Sequence, residues 1–422
     1  MKLAVIGDTH LGAKWGTPRE GDSFEQAEEA VRRAVEEGAD LLLLLGDLFD
    51  TRIPRPEVWT RAMRIFTLPK MGRGRMRLVG TVGKEEGEIS PLSLQGVPVV
   101  ALHGNHESRT EGLKNPVEVL EAAGMLLHLH REAVIFEGPD GRVAVHGMSY
   151  VPERYARGFL QTWNPRPVEG AFNVLMLHQS LGQYVFSPEE IPALSPEDLP
   201  PGFDLYLCGH IHYRVESTLH GKPLLFPGST ERTQLLPVEA SNRKGFYLVE
   251  GGKSRFVELE SPRDFLYEEV EADGMEVSLL QERVRRRVEA LLSGERRNTK
   301  KLPLIRLKLR GRLAKGRKGD FDEASLEEEF SDRALLVISK EELSSPSEGA
   351  GREALGRLEE AGTLEEMTLR LLEANLSELG YSYGLEARSL YNLMLEGKVE
   401  EVEERVRAFV RKLVELELGE GA

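Results

Sequence analysis

The chain has 422 residues, of which 40% are apolar and 30% are charged, and its formal net charge is −15. This length and composition are typical of two or three globular domains. The single cysteine, Cys208, excludes an intramolecular disulfide and a thiolate zinc site, and its place in an apolar run predicts a buried, inert thiol. No apolar run reaches about eighteen residues, and the chain enters its first apolar run directly after Lys2, so we expect an intracellular protein of the cytoplasm or nucleoid with no membrane partner.

The first part of the chain, to about residue 246, alternates apolar runs with amphipathic segments. This alternation is typical of an α/β layer fold. Ser23 is expected to cap a first helix, a second helix is predicted after Pro56, and a third from Asn115 to Gly124. Alternating residues from Ala133 to Tyr150 predict further strands. The sequence therefore favours an α/β architecture with helices flanking sheets.

Changes in composition divide the chain further. Gly72 to Gly96 is rich in glycine and mixed in charge, which predicts a surface insertion with a hairpin near Met76 to Val82. Between Glu250 and Pro262 the pattern changes to a smaller α+β unit, and later a Ser/Pro/Gly stretch predicts a linker. The predicted regions are a main domain over 1–255, a small domain over 262–343, a linker over 344–351 and a helical region over 352–422.

The small predicted domain contains a strongly basic stretch. From Arg283 to Lys318 there are fifteen lysines or arginines against two glutamates, a charge of +13, while the rest of the chain carries −28. Phosphate contacts act over roughly a Debye length, about 8–10 Å, so local charge matters more than the total. A solvated helix face and a polyanion-binding surface both account for this stretch. The candidate nucleic-acid contacts in it are Arg285, Arg286, Lys300 and Lys301.

The last predicted helix carries a narrow apolar seam from Val399 to Leu416, with spacings that alternate between three and four residues. Such a seam either packs on neighbouring helices or binds a partner helix. Because only about 60 residues lie in this region, too few for a large core, the partner hypothesis is at least as strong. The candidate partner contacts are Leu371, Val402, Val406, Phe409 and Leu413.

Two histidines, His210 and His212, follow the apolar run Phe203 to Cys208. At a strand end the chain can turn and direct two such rings to different metals. A lone Gly-His-x-His is weak evidence, but four further apolar runs end in the same way, each followed by a residue able to bind metal. The ends of buried strands are where α/β sheets collect ligand sites. The seven candidate ligands are Asp8, His10, Asp47, Asn105, His178, His210 and His212.

These ligand types determine which metals are expected. Carboxylate, amide oxygen and imidazole without thiolate suit Mn²⁺, Fe²⁺ or Zn²⁺ pairs better than structural zinc or a calcium cage. We expect two Mn²⁺ ions, with Mg²⁺, Fe²⁺ and Zn²⁺ as alternatives. The carboxylate of Asp47 can bridge two ions about 3.5–4 Å apart, which predicts hydrolysis at phosphorus. His106, beside Asn105, is placed to contact the phosphate or to protonate the leaving oxygen.

A single histidine in such a sequence is more often structural than a ligand. Histidines and other polar residues at five separate strand ends weigh against that interpretation for this set. The remaining histidines lack a matching context and are predicted to be structural or on the surface: His103, His128, His130, His146 and His220.

The motifs Asp8-Thr9-His10, Gly46-Asp47-Leu48-Phe49-Asp50, Gly104-Asn105-His106-Glu107, His178 and Gly209-His210-Ile211-His212 resemble the phosphoesterase motifs of the calcineurin-like metallophosphoesterases. The resemblance covers about the first 250 residues and implies a sandwich of two sheets flanked by helices. Within that superfamily, the first two motifs and Pro227-Gly228-Ser229-Thr230-Glu231-Arg232 resemble the SbcD and meiotic recombination eleven nucleases. That family has a small capping domain and C-terminal helices, in the order predicted here.

The family resemblance implies specific roles. It implies one ion on Asp8, His10, Asp47 and His212, a second on Asp47, Asn105, His178 and His210, and an acid role for His106. It also implies Mn²⁺-dependent 3′ to 5′ exonuclease and single-strand or hairpin endonuclease activity on DNA ends in double-strand-break repair. The implied partners are an SMC-like ATPase of the SbcC type and a second copy of the chain, with 58–66 and 116–123 as candidate dimer helices.

One departure from the family bears on activity. Several members carry histidine where Asp50 stands, a position tied to exonuclease action, so the balance of the two activities stays open. Asp50 is kept as a candidate catalytic residue. Two other hypotheses also stay open: a phosphodiesterase or phosphatase of the same superfamily with a non-DNA substrate, and a mainly scaffolding DNA-end binder.

Overall fold

A computed structural model describes residues 1–110, 112–185, 190–346, 369, 387–395 and 398–408. The chain divides into two compact units. The first comprises Met1–Tyr267 with Glu295–Leu304, and the second comprises Glu268–Gly294 and the chain from Ile305. The domain limits predicted from the sequence, 1–255 and 262–343, stay a prediction.

The first unit contains a six-stranded sheet in the order β13-β12-β1-β2-β4-β5. Strands β1, β2, β4 and β5 run parallel, whereas β12 is antiparallel to both β1 and β13. Leucine, valine and isoleucine fill the central strands because both faces of the sheet are covered. The strands are β1 (Lys2–Ile6), β2 (Leu41–Leu44), β4 (Val99–Ala101), β5 (Leu127–His128), β12 (Gly245–Glu250) and β13 (Lys253–Glu258).

A seven-stranded sheet lies in the same unit, in the order β10-β11-β9-β8-β7-β6-β3. Strands β7, β8, β9 and β11 are parallel, and the outer strands pair antiparallel. The strands are β3 (Arg77–Val82), β6 (Glu132–Gly138), β7 (Gly141–Met148), β8 (Ala171–His178), β9 (Leu205–Gly209), β10 (Val215–Leu219) and β11 (Lys222–Phe226).

Side chains point alternately to the two faces of each strand, so each sheet can pack against the other sheet on one face and against helices on the other. Leu3 and Val5 of β1 lie in a core cluster with Val134 of the other sheet, so the two sheets pack face to face. Ala4 and Ile6 face the opposite way, into a cluster under the first helices. A third cluster lies beneath the helix that follows β7. The helices of this unit are α1 (Asp22–Glu36), α2 (Pro56–Met71), α3 (Pro116–Ala122), α4 (Glu153–Trp163) and α5 (Pro237–Ser241). The predicted α/β sandwich of two sheets flanked by helices is confirmed.

Two local predictions were wrong. Helix α1 begins at Asp22 after Gly21, with no side-chain cap, and the Ser23 hydroxyl instead accepts a hydrogen bond from the Gly12 amide at 3.3 Å. The expected hairpin near Met76 to Val82 is absent from this described stretch, because β3 pairs antiparallel with β6, a strand about fifty residues later in the chain. An alternating pattern predicts a strand but does not identify its partner.

The second unit contains helix α6 (Val277–Leu292) and helix α7 (Glu323–Glu329). Its three-stranded sheet has the order β14-β15-β16, from β14 (Phe265–Glu271), β15 (Leu304–Arg312) and β16 (Leu335–Ser344). The apolar face of α6 buries Leu280, Val284 and Val288. These elements agree with the small α+β arrangement expected after residue 262.

Part of the predicted C-terminal region is described. Helix α8 (Ala387–Leu395) is followed by a helical stretch over 399–408. In that stretch Val402 is half-buried and Val406 is exposed, whereas Leu371, Phe409 and Leu413 lie outside the described residues. Among the helices that the structure describes, none is both long and apolar enough to cross a membrane.

Candidate metal centre

The candidate ligands are delivered by strand ends, as the sequence predicts. Asp8 and His10 follow β1, Asp47 follows β2, and Asn105 and His106 follow β4. From the second sheet, β8 ends on His178, and β9 is followed by His210 and His212. Because these strands are parallel within each sheet, their carboxyl ends meet at one edge of the sandwich.

A first group of four side chains converges closely. One ligand atom from each of Asp8, His10, Asp47 and His212 lies within 4.8 Å of the others, and all four residues are buried. The Nε2 atoms of His10 and His212 face each other at 3.1 Å. His10 Nε2 lies 3.9 Å from Asp47 Oδ2. This is the set that the family resemblance implies for one ion.

A second group adjoins the first at Asp47. His178 Nε2 lies 3.4 Å from Asp47 Oδ2 and 3.3 Å from Asn105 Oδ1. His210 Nδ1 lies 3.1 Å from the same Asn105 oxygen. The structure therefore brings all seven candidate ligands together, with Asp47 between the two groups.

Each of the two aspartates has one oxygen held by a backbone amide and a second oxygen buried in the centre. Asp8 Oδ1 accepts a hydrogen bond from the His210 amide, and Asp47 Oδ1 accepts one from the His106 amide, both at 2.9 Å. Asp8 Oδ2 is buried without a hydrogen bond, and the buried Asp47 Oδ2 makes the 3.4 Å contact with His178 Nε2. Burying an unsatisfied carboxylate oxygen is costly unless a cation balances it. The donor set therefore fits divalent metal ions.

Acceptors on the outer side orient three of the imidazoles. His178 Nδ1 lies 2.6 Å from the Leu45 carbonyl, and His10 Nδ1 lies 3.2 Å from Asp50 Oδ1. His212 Nδ1 lies 2.5 Å from Thr233 Oγ1. In each case Nδ1 is engaged outside, so Nε2 faces the centre, which is the usual arrangement around metal-binding histidines.

The charges of the centre shift several pKa values. Burial alone would lower the pKa of His178, but the carboxylate of Asp47 outweighs burial and raises it to about 9. Burial alone would raise the pKa of Asp47, but His178 and His10 hold it below its usual range. Burial raises the pKa of Asp8 and lowers that of His212 well below its usual value. The buried carboxylates and imidazoles of the centre thus hold protons that a bound metal ion can replace.

The backbone is strained where it presents these side chains. His10, Asp47 and His210 have positive φ angles of 44°, 46° and 79°. Such values are uncommon outside glycine, and they cluster at functional sites. Glycines permit the close approach: a Cβ on Gly104 would collide with the Asp47 carboxylate, and one on Gly209 would lie 2.8 Å from His178 Nδ1.

The two candidate catalytic residues lie next to the first group. The His106 ring packs edge-on against His10 with 4.7 Å between centroids, and its Nδ1 lies 3.0 Å from the Asp50 carbonyl oxygen. Because a carbonyl only accepts, Nδ1 carries a proton and Nε2 is left for another partner. The Asp50 Oδ1 atom lies 3.7 Å from His106 Nδ1. Asp50 thus contacts both His10 and His106.

The geometry agrees with a comparison across protein families. A family model described as calcineurin-like phosphoesterase matches residues 1–214, half of the chain. The chain belongs to this family.

Among curated relatives of this phosphoesterase are DNA double-strand break repair proteins. Mre11 of Methanopyrus kandleri is 32% identical over 315 residues, which cover 68% of this chain and 63% of that protein. Mre11 of Archaeoglobus fulgidus is 26% identical, covering 67% of this chain and 65% of that protein. Human MRE11 is 25% identical, covering 64% and 42%. The chain therefore spans less than two thirds of the length of these relatives.

Three residues of the phosphoesterase centre were not predicted. Thr233 contacts His212, and the buried Lys244 Nζ donates to the His212 carbonyl at 2.8 Å and to Ser229 Oγ at 2.9 Å. Glu107 is buried and accepts from the amides of Phe49 and Gly104, both at 2.9 Å, so it joins two ligand-bearing loops. Burial raises the pKa of Glu107 to about 8. Glu107 lies within a recognised motif and Thr233 directly follows one, whereas no recognised motif adjoins Lys244.

Three of the four candidate DNA contacts are paired with acids. Arg285 contacts Glu282 and Glu329, each at 2.9 Å, and Arg286 contacts Glu282 at 2.9 Å. In the first unit Lys301 bridges Asp22 at 2.9 Å and Glu25 at 2.6 Å. Within the described chain, Lys300 is exposed and forms no ion pair.

The five histidines predicted to be structural lie outside the two ligand groups. His103 Nδ1 lies 2.8 Å from His128 Nε2, and the His103 and His130 rings are 5.4 Å apart. His146 is buried against the edge of Phe203, and His220 Nε2 lies 2.9 Å from the Leu199 carbonyl.

Proposed function

We propose that this phosphoesterase is a Mn²⁺-dependent DNA nuclease of double-strand-break repair. The observation that carries the proposal is the convergence of seven side chains from five strand ends, with Asp47 between two groups. The names of the relatives, DNA double-strand break repair proteins, support DNA ends as the substrate. The proposed activities are 3′ to 5′ exonuclease and single-strand or hairpin endonuclease action.

The two groups provide candidate ligands for two ions. Asp8, His10, Asp47 and His212 would hold one Mn²⁺, and Asp47, Asn105, His178 and His210 would hold the other. When bound, such a pair lowers the pKa of water and neutralises charge that develops on a phosphodiester. Mn²⁺ suits the mixture of carboxylate, amide oxygen and imidazole, with Mg²⁺, Fe²⁺ and Zn²⁺ as alternatives.

Residues beside the ions supply the proton chemistry. His106, with Nδ1 held by the Asp50 carbonyl, would donate a proton from Nε2 to the leaving oxygen of the DNA strand. Asp50 Oδ1 lies 3.7 Å from His106 Nδ1, so Asp50 contacts the ring through its carboxylate as well as its carbonyl oxygen. Asp50 also orients His10 through Nδ1, so its proposed role is to position two imidazoles.

The proposal includes partners and a location. Leu371 and the seam residues Val402, Val406, Phe409 and Leu413 would bind an SMC-like ATPase of the SbcC type. The exposed side chain of Val406 supports a partner there.

A homodimer would form through α2 and α3, where Val119 is exposed. The protein would act on DNA in the cytoplasm or nucleoid.

One observation favours a second candidate, a phosphodiesterase of the same family that acts on a non-DNA substrate. The acidic partners of Arg285, Arg286 and Lys301 reduce the positive charge available to phosphates. The scaffolding hypothesis is disfavoured, because a binder with an idle centre has no need of seven convergent ligands.

Digestion of DNA tests the proposal. Hairpin and blunt-ended DNA are incubated with Mn²⁺ and either the wild type, His106→Ser, or His220→Ser as a control at an exposed histidine. We expect cleavage by wild type and control, and a loss of about 10²–10⁴-fold in His106→Ser with DNA binding retained. Equal digestion by all three would remove the acid role of His106. Hydrolysis of a small phosphodiester without DNA cleavage would favour the second candidate.

A further inference from the structure

Helix α4 (Glu153–Trp163) carries a surface that the proposed chemistry does not use. Its inner side is anchored, because Ala156 and Leu160 are buried in the core cluster beneath the second sheet. Its outer side exposes two aromatic rings one helical turn apart, Tyr155 at 48% and Phe159 at 37%. Large exposed aromatic side chains on a well-packed helix are typical of binding surfaces.

Each of these rings is covered by an arginine. The Arg154 guanidinium lies 4.6 Å from the centroid of Tyr155, and the Arg131 guanidinium lies 5.1 Å from that of Phe159. Both arginines are exposed and, within the described residues, neither forms an ion pair with a carboxylate. Two unneutralised cations therefore lie beside two exposed rings.

Of the neighbouring acidic groups, Asp198 is neutralised by an ion pair, whereas Glu153 keeps its charge and accepts a hydrogen bond. Asp198 binds Arg157 at 2.8 Å, which also fastens the helix to the adjoining loop. Glu153 accepts a hydrogen bond from the Tyr150 hydroxyl at 2.8 Å. The outer face of α4 thus combines positive charge with aromatic area, the combination by which proteins hold single-stranded nucleic acid.

The helix begins beside the candidate metal centre. Tyr150, three residues before α4, has its ring centroid 6.5 Å from that of His178. The eleven residues of α4 span about 16 Å from that point. A nucleic-acid strand that leaves the metal centre along α4 would contact Tyr155 first and Phe159 one helical turn later.

We propose that the outer face of α4, with Arg131, Arg154, Tyr155 and Phe159, binds the single-stranded part of a nucleic-acid substrate next to the cleavage centre. This inference rests on the proposed function. Bases stack on the two rings, and the two guanidinium groups contact the phosphates of the same strand. Stacking tolerates any base, so the surface positions the strand without reading sequence.

Binding without metal tests the surface separately from cleavage. The probe is a fluorescent thymidine homopolymer, titrated in EDTA at several salt concentrations. Tyr155→Ala/Phe159→Ala should weaken binding about tenfold or more while leaving the salt slope unchanged. Arg131→Gln/Arg154→Gln should weaken binding and reduce the salt slope by about 0.7 per lost phosphate contact. Arg73→Gln/Arg243→Gln removes the same charge elsewhere and should change binding little.

The outcomes separate this inference from the nuclease proposal. If both α4 double variants bind the probe as tightly as wild type and still cleave hairpin DNA, the proposed α4 surface is wrong and the nuclease proposal stands. Light scattering measures the oligomeric state of the Tyr155→Ala/Phe159→Ala variant. If that state changes while DNA binding stays intact, the outer face of α4 binds a second copy of the chain, and the inference is wrong. If wild-type protein binds the probe through α4 but cleaves no DNA, the α4 surface is supported and the nuclease proposal is wrong.

Discussion

The hydroxyl of Thr233 lies 2.5 Å from Nδ1 of His212, on the side of the ring that faces away from the metal centre. Lys244 holds the same segment, because its ammonium, paired with Glu239 at 2.6 Å, donates to the His212 carbonyl. Both the ring and the backbone of one candidate ligand are therefore fixed by residues that follow it by about twenty to thirty positions.

Replacing Thr233 tests this relationship. Thr233→Val keeps the shape of the side chain but removes its hydrogen bond, and loss of such an outer partner lowers metal affinity by about 10–100-fold. Calorimetric titration with Mn²⁺ should show that loss, while Thr233→Ser should restore affinity. Thr218→Val, at an exposed threonine on β10, is the control. Equal Mn²⁺ affinity of Thr233→Val and wild type would reduce the contact to a packing role.

The basic residues are expected to differ in their contribution to DNA binding. Neutralising Arg285, Arg286, Lys300 and Lys301 together should weaken binding and flatten its dependence on salt. Among single variants, Lys300→Gln should have the larger effect, with a slope change of about 0.9 on duplex DNA, because Arg285→Gln removes a cation that Glu282 and Glu329 already balance. A salt slope that does not change in the fourfold variant would assign these residues to solvated surface.

His146 should make the fold sensitive to mild acid. Burial lowers its pKa to about 4, below the value of about 6.5 expected when the chain is unfolded. The unfolded chain therefore binds a proton first, and the free energy of unfolding falls as the pH drops from about 6.5 to about 4, by up to about 1.4 kcal/mol per pH unit.

Denaturant unfolding at several pH values measures this effect. His146→Gln should flatten the fall relative to wild type, and His220→Gln, at an exposed histidine, controls for the loss of an imidazole. Identical pH profiles for wild type and His146→Gln would contradict the buried neutral state of His146.

The partner hypothesis rests on the apolar seam of the C-terminal helix. Phe409→Glu places a charge in that seam and should abolish association with the ATPase, while Mn²⁺-dependent cleavage by the isolated chain persists. Val82→Glu introduces the same charge at an exposed valine of β3 and should leave association intact. Co-purification of the ATPase with the Phe409→Glu chain would refute the partner hypothesis.

Much of the site could be predicted because its residues follow buried strands. The apolar runs before Asp8, Asp47 and His178 identify strands, and a polar residue at such an end needs a function. The hairpin near Met76 was predicted wrongly, since the pattern of β3 carries no information about β6. Thr233 and Glu329, one of the acidic partners of Arg285, were missed for a similar reason. Their contacts form between residues far apart in the chain, which no local pattern reveals.

The proposed centre holds two metal ions that share Asp47, and a crystal soaked with Mn²⁺ tests this arrangement most directly. Anomalous scattering should show two peaks, one contacting Asp8, His10, Asp47 and His212, and the other contacting Asp47, Asn105, His178 and His210. Soaked Asp47→Asn crystals should lose density at both positions. Absence of both peaks from the wild type, or peaks away from these side chains, would contradict a two-metal centre at Asp47.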